Sequence, residues 1–133
     1  MQTKRIRRGY QVGVLPVTPE GRLVLVTRRR GRGWIFPKGN REKGRSDLAV
    51  AKDDAYEEAG LSGTVEKEFL EFRTNGKKVA KLRLYPMRVD SVTNTFPEAG
   101  ERRRVIVSFE QAERMLRKDL RVVLRQMRLL EAA

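Results

Sequence analysis

The segment Ser46-Asp-Leu-Ala-Val-Ala-Lys-Asp-Asp-Ala-Tyr-Glu-Glu-Ala-Gly60 reads as one helix with a signal at each end. Ser46 or Asp47 supplies a side-chain acceptor for the first free N–H groups, and Gly60 can take the left-handed conformation that ends a helix. Leu48, Ala51, Ala55 and Ala59 form a stripe of mostly small side chains that can lie close on a sheet. Asp54, Glu57 and Glu58 stand at i, i+3 and i+4 and share another face. Like charges at that spacing repel, and Lys52 is the only base within the helix. A divalent cation would turn the repulsion into coordination, and clustered carboxylates suit Mg²⁺ or Mn²⁺. An ordinary solvated acidic helix has the same pattern.

Strand signals surround this helix. Tyr10 to Thr18 and Arg22 to Arg29 read as strands around a Pro19-Glu20-Gly21 turn. Residues 30–46, rich in Gly and Arg, read as a loop. Val65 to Thr74 and Lys77 to Val89 read as strands across an Asn75-Gly76 hairpin turn. Val105 to Phe109 is a further short strand. Glu110 to Leu116 and Leu120 to Leu130 read as helices, the second with Val123, Met127 and Leu130 at helical spacing. Strands first, a helix among them and helices last give a mixed sheet with helices packed on it. The 133 residues show no repeat, low-complexity segment or linker, so 1–133 reads as a single domain.

Composition removes whole classes of chemistry. The chain has no cysteine and no histidine. Disulfides, thiolate nucleophiles, Ser-His-Asp arrangements and the usual zinc sites are therefore excluded. No apolar run approaches the roughly 18 residues of a membrane span. The basic start and the short apolar stretch broken by Pro16 make a poor signal peptide, which gives a cytoplasmic expectation. Net charge is +13 and unevenly spread: +11 over residues 1–45, −5 over 46–68 and +7 over the rest. One acidic island in a basic chain suits a polyanionic ligand bridged to the protein by a cation. Solubility, or general affinity for nucleic acid, would give the same balance.

Trp34-Ile-Phe-Pro-Lys-Gly39 precedes the helix, and Glu57-Glu58-Ala59-Gly60-Leu61 closes it. Together they resemble the Nudix box, G-x5-E-x7-R-E-U-x-E-E-x-G-U, where U is a bulky apolar residue. Gly39, Glu57, Glu58, Gly60 and Leu61 match at the right spacing, and Ala55 sits at the first apolar position. Phe96-Pro-Glu98, Glu101-Arg-Arg-Arg104 and Ser108-Phe-Glu-Gln-Ala112 are similar to the branch containing diphosphoinositol polyphosphate and diadenosine polyphosphate hydrolases. The box departs from the family at three positions. Arg45 replaces its first Glu, and Asp53-Asp54 replaces its Arg-Glu. Arg45 and Asp53 reverse the family's charges, so an ion pair of swapped polarity can form between them.

The resemblance implies an α/β fold, an α/β/α sandwich around a mixed β-sheet, and hydrolysis of a diphosphate linkage. It assigns metal binding to Gly39, Asp54, Glu57 and Glu58, with Mg²⁺ or Mn²⁺ as cofactor. Asp54, Glu57 and Glu98 are the candidate catalytic acids. Asp54 or Glu98 would activate water, and Glu98 reads equally as a turn carboxylate paired with Arg102 to Arg104. Arg28, Arg30 and Lys38 are candidates for substrate phosphates, with at least one of Arg28 to Arg30 facing solvent. Trp34 reads as loop packing ahead of base stacking, and Tyr10, Tyr56 and Tyr85 as core-edge residues. The expected partner is an anionic small molecule containing a diphosphate, such as a diadenosine polyphosphate, a diphosphoinositol polyphosphate or a nucleoside diphosphate derivative. Nucleic acid is not favoured, because interleaved aromatics are lacking. The alternative is a catalytically silent Nudix domain that binds a nucleotide, a polyphosphate or RNA.

Overall fold

The computed structural model describes residues 9–75 and 79–132. Eight strands form one mixed sheet: β1 (Gln11–Val17), β2 (Leu23–Thr27), β3 (Trp34–Ile35), β4 (Lys38–Asn40), β5 (Leu61–Val65), β6 (Leu70–Asn75), β7 (Val79–Val92) and β8 (Arg104–Val107). The helices are α1 (Asp47–Ala59), α2 (Phe109–Met115) and α3 (Arg121–Ala132), with a single 3₁₀ turn at Lys118–Leu120. The main strand order is β3-β2-β1-β7-β5. β4 pairs with β1, β6 with β7 and β8 with β2. β1 and β7 run parallel from Gln11↔Leu82 to Val17↔Arg88, and the other pairings are antiparallel. No helix among the described residues is long and apolar enough to cross a membrane.

β2 is buried at every position and β1 at its five central ones, so both faces of the sheet are covered. α1 packs against β1 and β4, while Met127 of α3 meets Leu15 and Val17. Ala51, Ala55 and Ala59 are fully buried, and Leu48 packs beside them. The stripe read from the sequence is the docking face of α1. Val123 and Met127 are buried as their spacing requires, and the side chain of Leu130 lies outside the described residues.

Both helix stops act as read. The Ser46 side chain accepts from the Ala49 N–H at 3.1 Å, and Gly60 takes φ 68° with its N–H directed at the Ala55 and Tyr56 carbonyls. Asp47 is occupied elsewhere. It accepts from the Tyr10 hydroxyl at 2.8 Å and lies 3.4 Å from the Arg83 guanidinium. That guanidinium stands 3.9 Å from the Tyr10 ring centre and 4.6 Å from that of Phe69, so cation–π contacts tie the start of α1 to β1, β6 and β7.

The loop expected over 30–46 contains β3 and β4. Neither has a periodic pattern of its own; β3 forms on β2 and β4 on β1. Gly13 makes the second pairing possible, because a Cβ there would run into the Pro37 carbonyl and Lys38. The strand expected from Val65 to Thr74 is two strands. β5 ends at Val65 and β6 begins at Leu70. β5 exposes Ser62, Gly63 and Thr64 and is irregular at Ser62/Gly63, which hides the alternation of a strand. The Asn75-Gly76 turn falls partly outside the described residues, although Asn75 pairs with Val79 across it. Tyr56 is 45% exposed and does not belong to the core edge, whereas Tyr85 is buried and Tyr10 packs on the core. Trp34 also packs on the core, with the Arg103 guanidinium 5.5 Å from its ring.

Gly60 joins positive φ to crowding, since a Cβ would meet the Thr93 carbonyl and the Phe96 ring. Gly60→Ala is expected to cost roughly 1–3 kcal/mol of stability. Gly21→Ala has φ 79° but open space around it and should cost less. Circular dichroism melts of the two variants test this, and equal losses would contradict the crowding.

Candidate metal and phosphate site

Docking of the alanine stripe brings Asp54 and Glu58 under the β1–β4 edge. Asp54 is 8% and Glu58 5% exposed. A Cβ on Gly39 would lie 3.3 Å from Asp54 Oδ2, so the backbone of the first box glycine closes over that carboxylate. Asp54 Oδ2 is buried and has no hydrogen-bond partner. Burial, then the charges of Glu58 and Glu57, push the Asp54 carboxyl up to about 8.

Glu58 is compensated differently. Its Oε1 accepts the Lys38 backbone N–H at 3.1 Å, and its Oε2 lies 3.8 Å from Arg102. Burial raises the Glu58 carboxyl to about 7 against these two favourable contacts. Glu57 stands on the exposed flank, raised by its partial burial and by Asp53, Glu98 and Glu42. The expectation that three carboxylates gather for a metal is therefore corrected. Among the described residues no group of three acidic side chains converges closely enough to hold an ion. Glu58 is drawn inward by Lys38 and Arg102 while Glu57 faces outward. The arrangement fits Mg²⁺ or Mn²⁺ all the same, because Mg²⁺ commonly takes one or two carboxylates and completes its shell with water and substrate phosphate. The bare, buried Asp54 Oδ2 is the observation that supports the fit.

Glu98 proves to be a clamp. Its Oε1 lies 2.6 Å from Arg102 Nε and its Oε2 2.9 Å from Arg29. Its backbone N–H bonds the Glu57 carbonyl at 3.0 Å, which fixes the 96–102 loop to the end of α1. With both oxygens committed to guanidinium groups, Glu98 is poorly placed as the base that activates water. Arg102 and Arg29 carry structural charge here and were missed as individual residues. The signal for Arg102 was its i+4 spacing from Glu98, and Arg29 had none, because its partner is far away in sequence.

Lys38 is largely buried. Its ammonium donates to Gln11 Oε1 at 2.7 Å, and burial, with Arg117 and Arg28 nearby, lowers its pKa although Glu58 opposes the shift. Arg28 and Lys38 are thus brought within electrostatic reach, as expected. Arg30 instead adopts φ 50° and bonds Glu101 through its backbone, so Arg117 takes the place beside Lys38 that Arg30 was expected to fill. Arg117 reaches it from the α2–α3 junction, where its N–H bonds the Trp34 carbonyl.

The charge-reversed pair forms. Arg45 Nη2 lies 2.6 Å from Asp53 Oδ2, and Arg45 also meets Glu42 at 3.1 Å. The pair anchors the loop before α1 to the helix itself.

A family model for the NUDIX domain matches residues 7–127, and the chain belongs to that family. It is 29% identical over 93 residues to Nudix hydrolase 4 of Arabidopsis thaliana, covering 68% of this chain and 45% of that protein. It is 25% identical over 126 residues to Nudix hydrolase 18, mitochondrial, of the same plant, covering 84% and 72%. The chain spans about half the length of Nudix hydrolases 4 and 21. A C. elegans Ap4A hydrolase structure superposes with a TM-score of 0.73 at 17% identity, covering 93% of this chain and 98% of that one. A MutT protein from Methanosarcina mazei Go1 superposes with a TM-score of 0.73 at 15% identity, covering 94% and 96%. These two likenesses show the fold, a mixed sheet layered between helices.

Two outcomes are expected from this geometry. The Asp54 and Glu58 carboxyls titrate above their ordinary values of 3.8 and 4.5, so the folded chain holds protons that the unfolded chain releases. Stability without metal should therefore fall as pH rises from about 4 to about 8. Added Mn²⁺ should reduce that fall, and melts across the pH range with and without the ion check both. Separately, Arg45→Glu should weaken the fold by placing an acid against Asp53, and Arg45→Glu with Asp53→Arg should recover most of the loss. The pair is exposed, so the coupling from the full cycle should be about 0.2–1 kcal/mol. Strictly additive single effects would show that it contributes nothing.

Proposed function

We propose that this chain is a metal-dependent Nudix hydrolase that breaks a diphosphate linkage in a highly anionic substrate. The buried, unpartnered Oδ2 of Asp54 against the Gly39 backbone carries this reading. A carboxylate left bare in the interior is costly, and a cation offsets that cost. Asp54 and Glu58 would hold the ion, with Glu57 reaching it from the exposed flank and the Gly39 carbonyl as a further donor. When bound, Mg²⁺ or Mn²⁺ supplies charge neutralisation and alignment for attack of water on phosphorus.

The chain's own residues supply the rest. Arg28, Lys38 and Arg117 gather positive charge beside Glu58, where substrate phosphate would lie. The high proton affinity of Asp54 suits it to take the proton from the attacking water. Glu98, Arg29 and Arg102 hold the loop that closes the C-terminal end of α1. The likeness to an Ap4A hydrolase and the basic surroundings favour dinucleoside polyphosphates, with diphosphoinositol polyphosphates next.

A second reading is supported by two specific features. Arg45 stands where the family has an acid, and both oxygens of Glu98 are tied in ion pairs. A silent domain that binds a nucleotide or polyphosphate would keep the phosphate cations without turnover. Product analysis after incubation with diadenosine tetraphosphate, diphosphoinositol polyphosphates and nucleotide sugars, with Mg²⁺ or Mn²⁺, separates the two. Asp54→Asn should lower kcat/KM by about 100-fold or more, the scale of a general base, and Glu98→Gln should lower it less. Saturable binding of these compounds with no product at any metal concentration would establish the silent domain instead.

A further inference from the structure

The acids around the box are not equivalent in their counter-charges. Glu98 has Arg102 on one oxygen and Arg29 on the other. Glu58 has the Lys38 N–H on one oxygen and Arg102 facing the other at 3.8 Å. The Arg102 side chain is only 9% exposed, and its remaining Nη1 donates to the Thr27 carbonyl at 2.8 Å. This guanidinium thus sits between two carboxylates where a divalent ion could otherwise bridge them. At the opening of the box, Arg45 has replaced an acid and holds Asp53. Asp54 alone keeps a buried oxygen with no partner of any kind.

We propose that the Arg102 guanidinium occupies the place of a second metal ion, so that the box binds one divalent cation, at Asp54, before substrate arrives. The inference rests on the metal-dependent reading above and concerns how many ions this chain holds by itself. Arg102 is a built-in counter-ion that keeps Glu58 and Glu98 neutralised and in position. Any further ion would enter on the phosphates of the substrate, which is the usual habit of Mg²⁺. A fixed cation in that place also costs no ion-binding step and does not respond to metal concentration.

The test is a titration of the full chain with Mn²⁺ in the absence of substrate, with free Mn²⁺ read by electron paramagnetic resonance. The parent should bind a single tight Mn²⁺. Arg102→Gln should bind a second, because Glu58 and Glu98 lose their shared cation, and Arg102→Lys should stay at one. Adding Glu98→Gln to Arg102→Gln should return the count to one, an outcome that a purely structural role for Arg102 would not produce. If Arg102→Gln does not fold, the parent and Arg102→Lys counts carry the test. Two or more tight ions on the parent, or a folded Arg102→Gln that still binds one, would overturn the inference. No bound Mn²⁺ on the parent would overturn it together with the metal-dependent function. A single bound Mn²⁺ with no hydrolysis of any diphosphate would leave this inference standing and overturn only the enzyme reading.

Discussion

Close approach of α1 to the β1–β4 edge is the contact on which the site depends. Ala51, Ala55 and Ala59 place nothing beyond a Cβ between helix and sheet. The helix therefore lies near enough for Asp54 to be covered by the Gly39 backbone and for Glu58 to receive the Lys38 N–H. Larger residues in that stripe would lift the helix and return both carboxylates to water, where their proton affinity would be ordinary. Gly13 serves the same contact from the other side, since β4 reaches β1 only where β1 lacks a side chain. Packing and electrostatics are one problem here.

Burying acids in this way creates a charge imbalance that the chain meets with arginine more than lysine. Arg102 forks between Glu98 and Glu58, Arg29 spans Glu98 and Glu101, and Arg45 spans Glu42 and Asp53. A planar guanidinium can serve two carboxylates at once, which an ammonium does with less geometric definition. The excess of base read from composition is thus partly internal wiring. The cations beside Lys38 differ in kind. Arg28 and Arg117 press on a buried ammonium, and that unfavourable gathering is eased by an anion.

The alterations in the box take on a physical meaning in this setting. Arg45 and Asp53 together preserve a link between loop and helix while exchanging its polarity. The exchange removes one negative charge from the metal side and sets Asp53 among the charges that raise Glu57. Asp54 keeps a carboxylate at the third altered position, one methylene shorter than Glu, and Gly39 lies against it. The shorter reach agrees with a carboxylate held close beneath the backbone.

The sequence by itself determined the helix from its two stops, its alanine docking stripe, the acids on one face, and the class of fold through the spacing of Gly39, Glu57, Glu58 and Gly60. Each of these signals is local, set within a few residues by backbone conformation or helical period. Even the Arg45–Asp53 pair was legible, because opposite departures from a fixed pattern at neighbouring positions point to a contact. Tertiary structure decided the rest. β3 and β4 exist only because other strands offer them hydrogen bonds, and β5 is obscured by its irregular register. Glu98 became a clamp because Arg29, distant in sequence, arrives on its other oxygen. Arg117, and not Arg30, reached Lys38 because the α2–α3 junction docks on Trp34. Charge complementarity between distant segments leaves no period in a sequence, so which arginine meets which carboxylate is settled only when the layers pack.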